Sequence, residues 1–171
     1  MFQIGDPVVH PVRGAGVVTG IEELQRHGKI KAYYRIKLLG QTRTSLMIPV
    51  EGAAAKGLRR AIQQSKLNRV RRVLCADPQR LPANHKARYE LVKSKLRTGD
   101  LLQVAEAVRD MAWRQRREGS LNTRGKRIYK RGIKLLAGEI AVALGVELDA
   151  GEAQVRKWLW KNPSLEIATA S

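Results

Sequence analysis

The segment GLRRAIQQSKLNRVRRVLCADP, residues 57–78, is where apolar residues stop recurring at every second position and start recurring every third or fourth. Upstream of it, short runs rich in β-branched and aromatic residues are separated by glycine, which predicts strands. The expected strands are Asp6 to His10, Ala15 to Ile21, Ile30 to Leu39, Thr42 to Ile48 and a short fifth over Leu58 to Ile62. Arg26-His27-Gly28-Lys29 is placed to turn the second into the third, and Pro11 and Pro49 close the first and fourth. Five short antiparallel strands in so few residues predict a small SH3-like barrel.

Downstream, the pattern is helical. Ser65 is placed to cap a helix through Ala76, which Asp77-Pro78 ends. Asn84, Asp100 and Asn122 are candidate caps for three more helices, stopped by Gly99, Gly119 and Gly145. Val104, Ala105, Val108, Met111 and Ala112 form one apolar stripe, and Ile128, Leu135, Leu136, Ile140 and Ala143 another. A last short helix is expected over Ala150 to Lys161, broken by Pro163. The fold class is therefore α+β by segregation: a small β-barrel over residues 1–62 followed by an all-α helical bundle over residues 63–171. No flexible linker separates them, so the two parts are expected to pack on each other or share a stiff junction.

Charge adds a functional constraint. The 171 residues carry 33 Lys and Arg against 15 Asp and Glu, a formal charge of +18. Residues 1–62 have a net charge of +6, residues 63–145 of +13 and residues 146–171 of −1. Such an excess favours a polyanionic partner, because each phosphate contact releases counterions. Nucleic acid fits better than a membrane surface, since no run approaches the roughly 18 apolar residues a spanning helix needs. Met1-Phe2-Gln3-Ile4-Gly5-Asp6 has neither a charged nor an apolar leader region, so no secretory signal is expected. Cys75 is the single cysteine, and His10, His27 and His85 lack metal-ligand spacing, so neither a disulfide nor a metal site is expected. A cytoplasmic setting, no cofactor and no membrane association follow as expectations. With no phosphate-binding glycine loop and no nucleophile–base pair, the chain does not read as an enzyme.

Val8-Val9-His10-Pro11, Gly14-Ala15-Gly16-Val17-Val18 and Ile21-Glu22, with Leu46-Met47-Ile48-Pro49-Val50 and Gly57-Leu58-Arg59, resemble the polymerase-interacting domain of the CarD/CdnL family. The same module occurs in the transcription-repair coupling factor. Arg88-Tyr89, Gly99-Asp100, Val104-Ala105-Glu106-Ala107-Val108-Arg109-Asp110, Gly125-Lys126-Arg127 and Leu136-Ala137-Gly138-Glu139-Ile140-Ala141 look like the landmarks of that family's helical domain. The resemblance covers roughly residues 1–145, in the right order. It implies a Tudor-like module that binds the RNA polymerase β subunit, and a helical domain that contacts promoter DNA at the upstream edge of the bubble and stabilises the open complex. It also implies a nucleoid-associated protein, expected to be a monomer when free. At the position right after Asn84, where characterised members carry a wedging tryptophan, this chain has His85. Two positions before Pro49, where well-studied members use a basic residue to contact polymerase, it has Met47, with Arg43 or Arg35 as candidate substitutes.

The expected DNA contacts are His85, Lys86, Arg88, Lys126, Arg127, Lys130 and Lys134. Lys126, Arg127, Lys130, Arg131 and Lys134 recur at spacings of three and four and share a broad helix face with no acidic residue between Arg124 and Lys134. The expected polymerase contacts are Arg35, Arg43, Met47 and Pro49. Arg114, Arg116 and Arg117 could serve either DNA or the negative end of their own helix. Arg69, Arg71 and Arg72 could serve the junction between the halves. Trp113 reads as packing, and Trp158 and Trp160 as pins for the last helix. A ribosome-associated RNA-binding protein is the alternative reading, since Gly5-Asp6-Pro7-Val8 also suits small ribosomal barrels; with aromatics at 5% of residues, RNA stacking is the weaker case.

Overall fold

A computed structural model describes residues 1–170, with side chains through residue 166. The first sixty residues form five strands: β1 (Pro7–His10), β2 (Gly14–Arg26), β3 (Lys29–Leu38), β4 (Ser45–Pro49) and β5 (Arg59–Arg60). Their order is β4-β3-β2-β1-β5, with every neighbouring pair antiparallel. The expected barrel is thus an open sheet: β4 pairs only with β3, and β5, two residues long, only with β1. β5 is too short to reach across and close a cylinder. β2 runs five residues past its expected end to meet β3, which lies within one residue of its expected bounds, because His27-Gly28 makes a two-residue turn with both residues at positive φ, 50° and 74°, which matches the twist of a long hairpin. A register shift between Val18 and Gly20 bends β2. Gly16 lets β2 and β3 close up, since a Cβ there would lie 2.5 Å from the Lys37 carbonyl oxygen.

The chain then takes a 3₁₀ turn (Gln64–Lys66) into α1 (Leu67–Cys75), followed by α2 (His85–Arg97), α3 (Leu101–Glu118), α4 (Thr123–Leu144), α5 (Leu148–Trp160) and α6 (Pro163–Ala170). Ser65 does not cap α1; it lies inside the 3₁₀ turn, and the capping position falls on Lys66. Asn84, Asp100 and Asn122 each accept a backbone N–H of the first turn they precede, as expected. Pro163 opens α6 instead of ending the structure. The Asn162 side-chain oxygen accepts the Ser164 N–H, and a proline at the first helical position forfeits no needed hydrogen bond.

The helices share one apolar core, in which Val70, Leu74, Val92, Val108, Leu136, Ile140, Val155 and Leu165 are almost wholly buried. The sheet has its own core of Val8, Val18, Tyr34, Ile36, Leu38, Ile48 and Leu58. The two meet where Ala15 and Ala61 pack on Val142 of α4, flanked by Val9, Val17 and Leu39. Small side chains let the helix lie close to β1 and β2. At this seam Glu139, 2% exposed, is held by two arginine N–H groups of Arg59 at 2.7 and 2.8 Å and by the Ile62 N–H at 2.9 Å. Arg59 Nε also donates to the Gly99 carbonyl at 2.9 Å. The expected stiff junction is therefore a packed, hydrogen-bonded one. Arg69, Arg71 and Arg72 are exposed and take no part in it.

Candidate functional site

Two helix starts are clasped together on one side of the bundle. Asn122 Oδ1 accepts the Gly125 N–H at 2.8 Å, capping α4, and also accepts the Tyr89 hydroxyl of α2. The Tyr89 ring is 4% exposed, with the Arg88 and Arg124 guanidiniums 5.2 and 4.8 Å from its centroid. The N-terminal ends of α2 and α4, each the positive pole of its helix, are thereby held side by side. His85 and Lys86 project from the first turn of α2, and Lys126, Arg127, Lys130, Arg131 and Lys134 are all exposed along α4. None of these five takes part in an ion pair among the described residues. Between the helices runs a groove of about 270 Å³ with Leu96 and Ile128 at its floor and Lys93, Arg97 and Arg131 around it. Lys93 and Arg97, a turn apart on α2, extend the cationic surface beyond the expected residues; their i, i+4 spacing was the available signal.

Arg88 stands apart from the other expected contacts. It is 8% exposed, and its Nη1 donates to the Pro82 and Ala83 carbonyls at 3.1 and 2.9 Å. Its charge is used inside the protein, where it ties down the loop that leads into α2. Burial and two carbonyl partners on Nη1 make it the least accessible of the expected DNA contacts.

A second surface lies at the far side of the sheet. β4 is an edge strand, so one side of its backbone faces away from the sheet. Met47 is directly opposite Arg35 and Pro49 opposite Tyr33, which places Arg35, Met47 and Pro49 on one face. Ile48 points the other way, into the core. Arg35 is ion-paired with Glu22 of β2. Arg43 lies in the exposed loop before β4, outside the strand that was expected to contain it.

Elsewhere, Arg114 pairs with Glu118 at 3.0 Å and Arg117 stacks over Trp113, so both serve the end of α3. Trp158 packs against the helical core as expected. Trp160 does not: it is 72% exposed, because α5 turns this side of the helix outward. Cys75 is half-buried, its thiol 3.4 Å from the Trp158 carbonyl. Among the described residues no cluster of three or more His, Cys, Asp or Glu could hold a metal, and no helix is long and apolar enough to cross a membrane.

Comparison with known proteins follows the same division. The family described as "CarD-like/TRCF RID domain" matches residues 2–62, and the one described as "CarD, C-terminal domain" matches residues 69–156. YdeB of Bacillus subtilis (strain 168), a proposed transcription factor, is 30% identical to this chain over 146 residues, which is 85% of this chain and 94% of YdeB.

Proposed function

The chain belongs to the CarD family of transcription factors, which are not enzymes and whose N-terminal module interacts with RNA polymerase, and from that premise we propose that it bridges the polymerase β subunit to promoter DNA at the upstream edge of the bubble and stabilises the open complex. Labour is divided near residue 62. The edge strand β4, with Arg35, Met47 and Pro49 on one face and Arg43 at its entry, receives a strand of the β subunit. Main-chain pairing supplies affinity there, and the flanking side chains supply specificity. The helical part contacts DNA through His85, Lys86, Lys126, Arg127, Lys130 and Lys134, with Lys93, Arg97 and Arg131 alongside, and works on the nucleoid in the cytoplasm.

The observation that carries this reading is the uncompensated row of five exposed cations on α4, set beside the N-terminus of α2. Phosphates are the partner such a row fits, and contacts of this kind position a protein on a duplex without reading its sequence. The packed seam at Arg59 and Glu139 matters to the same end, because polymerase held at one end fixes where the DNA face sits. The test is the decay of heparin-resistant promoter complexes formed by polymerase with and without the protein. The wild type should slow the decay, and Lys126→Glu with Lys130→Glu should remove most of that effect. An undiminished effect in the double variant would overturn the assignment of the DNA face.

A further inference from the structure

On the flank of α4 that packs against α3 and α5, away from the α2 groove, lies an open cleft of about 700 Å³. Gln115 and Arg116 of α3, Tyr129 of α4, and Arg156, Leu159 and Trp160 of α5 line it. None of these residues belongs to the basic face or to the edge strand. Three features of the lining belong together. The indole of Trp160 is 72% exposed at the rim, with the Arg116 guanidinium 5.3 Å from its centroid. Arg116 is itself fixed, its Nη1 donating to the Leu165 carbonyl at 3.1 Å, so one edge of its guanidinium is used and the rest faces the cleft. The Tyr129 hydroxyl lies within the electrostatic reach of both Arg116 and Arg156, takes no hydrogen bond from the described residues, and is pushed up from its ordinary pKa chiefly by burial, which keeps it protonated and able to donate.

An exposed tryptophan sandwiched from one side by an arginine offers its other face to a planar ring. Two guanidiniums and a phenolic proton offer donors to an anion, and no carboxylate is among the residues lining the cleft; Glu152 pairs with Arg156 at 2.9 Å. We propose that this cleft binds a nucleoside phosphate, its base stacked on Trp160 and its phosphate held by Arg116, Arg156 and the Tyr129 hydroxyl. The ligand could arrive free or as an unpaired nucleotide of a single strand. The site is independent of the basic face on α4.

The test uses the full chain carrying Lys126→Glu and Lys130→Glu, so that the basic face does not mask the cleft. Adenosine triphosphate, base-free tripolyphosphate and a single-stranded hexathymidylate are titrated calorimetrically. Trp160→Ala and Arg156→Gln are added separately; both side chains are largely exposed, so the fold should survive. Trp160→Ala should weaken binding of the base-bearing ligand about tenfold, in line with the contribution of one stacked base, and Arg156→Gln should weaken it about tenfold through loss of a charge-assisted phosphate contact. A loss seen with adenosine triphosphate identifies a free nucleotide, and a loss seen only with the hexamer identifies a strand. Equal affinity for tripolyphosphate and adenosine triphosphate together with hexamer binding unmoved by Trp160→Ala, or affinities unmoved by both substitutions, would overturn the proposal and leave only the attraction of a polyanion to a basic protein.

Discussion

Glu139 lies in the buried middle of α4 with both carboxylate oxygens on the guanidinium of Arg59, which comes from the sheet's shortest strand. The pairing raises the pKa of Arg59, first through that hydrogen bond, so the arginine is charged throughout the accessible range. A carboxylate buried at a seam costs solvation, and here three N–H donors offset it.

Removing one partner should therefore be far more damaging than removing a surface pair. Arg59→Ala strands the Glu139 charge and should lower unfolding stability by about 3 kcal/mol. Arg35→Ala, which breaks the exposed pair with Glu22, should cost about 1 kcal/mol or less. Urea denaturation of the two variants measures the difference. Arg59→Met combined with Glu139→Leu should recover much of the loss, because no charge is left unpaired.

At the edge proposed to meet polymerase, Arg43→Glu with Met47→Asp places two negative charges beside β4 without touching the core residue Ile48. Affinity for a β-subunit fragment should drop about tenfold or more, while the melting temperature stays near that of the wild type. Calorimetric titration checks the first and differential scanning the second; unaltered affinity would mean that polymerase docks elsewhere.

Salt dependence measures the phosphate contacts. If about four of the exposed cations on α2 and α4 reach the backbone, the logarithm of duplex affinity should fall against the logarithm of salt with a slope of roughly −3 to −4. Fluorescence anisotropy over a salt series gives the slope, and Arg88→Gln should leave it unchanged, since that side chain is occupied by Pro82 and Ala83.

His85 is exposed at the first turn of α2, beside the capping Asn84. An imidazole covers less of a base step than an indole, so His85→Trp should lengthen open-complex lifetime and His85→Ala should change it little. Should His85→Ala abolish the effect while the lysine double reversal spares it, a specific wedge rather than charge would govern the helical part.

His10 supplies a pH test of the sheet. Its Nδ1 accepts the Val12 and Arg13 N–H groups, and burial, with Arg13 as a second cause, lowers its pKa from the usual 6.5. In the folded state the ring thus resists protonation that the unfolded chain accepts. Its stabilising contribution is complete above 6.5 and is lost as pH falls from there through the folded value. In His10→Asn the step in stability just below 6.5 should shrink relative to the wild type, as read by denaturation across that range.

Much of this fold was legible along the chain because its signals are local. Asn84, Asp100 and Asn122 cap their own first turns, and a cap needs only a side-chain oxygen two or three residues from a free N–H. The change of apolar period near residue 63 located the passage from sheet to helices for the same reason. The local signals that misled were those with two uses: Ser65 can cap or sit inside a 3₁₀ turn, and Pro163 can end a helix or begin one. Which use prevails depends on Leu67 and Leu165 finding the core, a matter of packing.

The sequence by itself determined the two-part architecture, the concentration of charge in the helical half and the cationic face of α4, since periodicity and charge spacing are properties of neighbours. Tertiary structure alone decided that the sheet stays open, that Arg88 turns inward while Lys93 and Arg97 join the surface, that Trp160 stands in solvent, and that Arg59 meets Glu139. Those two residues are 80 positions apart, and no spacing rule relates them. Each of these outcomes depends on which faces are left over once the apolar residues of distant elements are buried against one another, and the chain settles that only by folding.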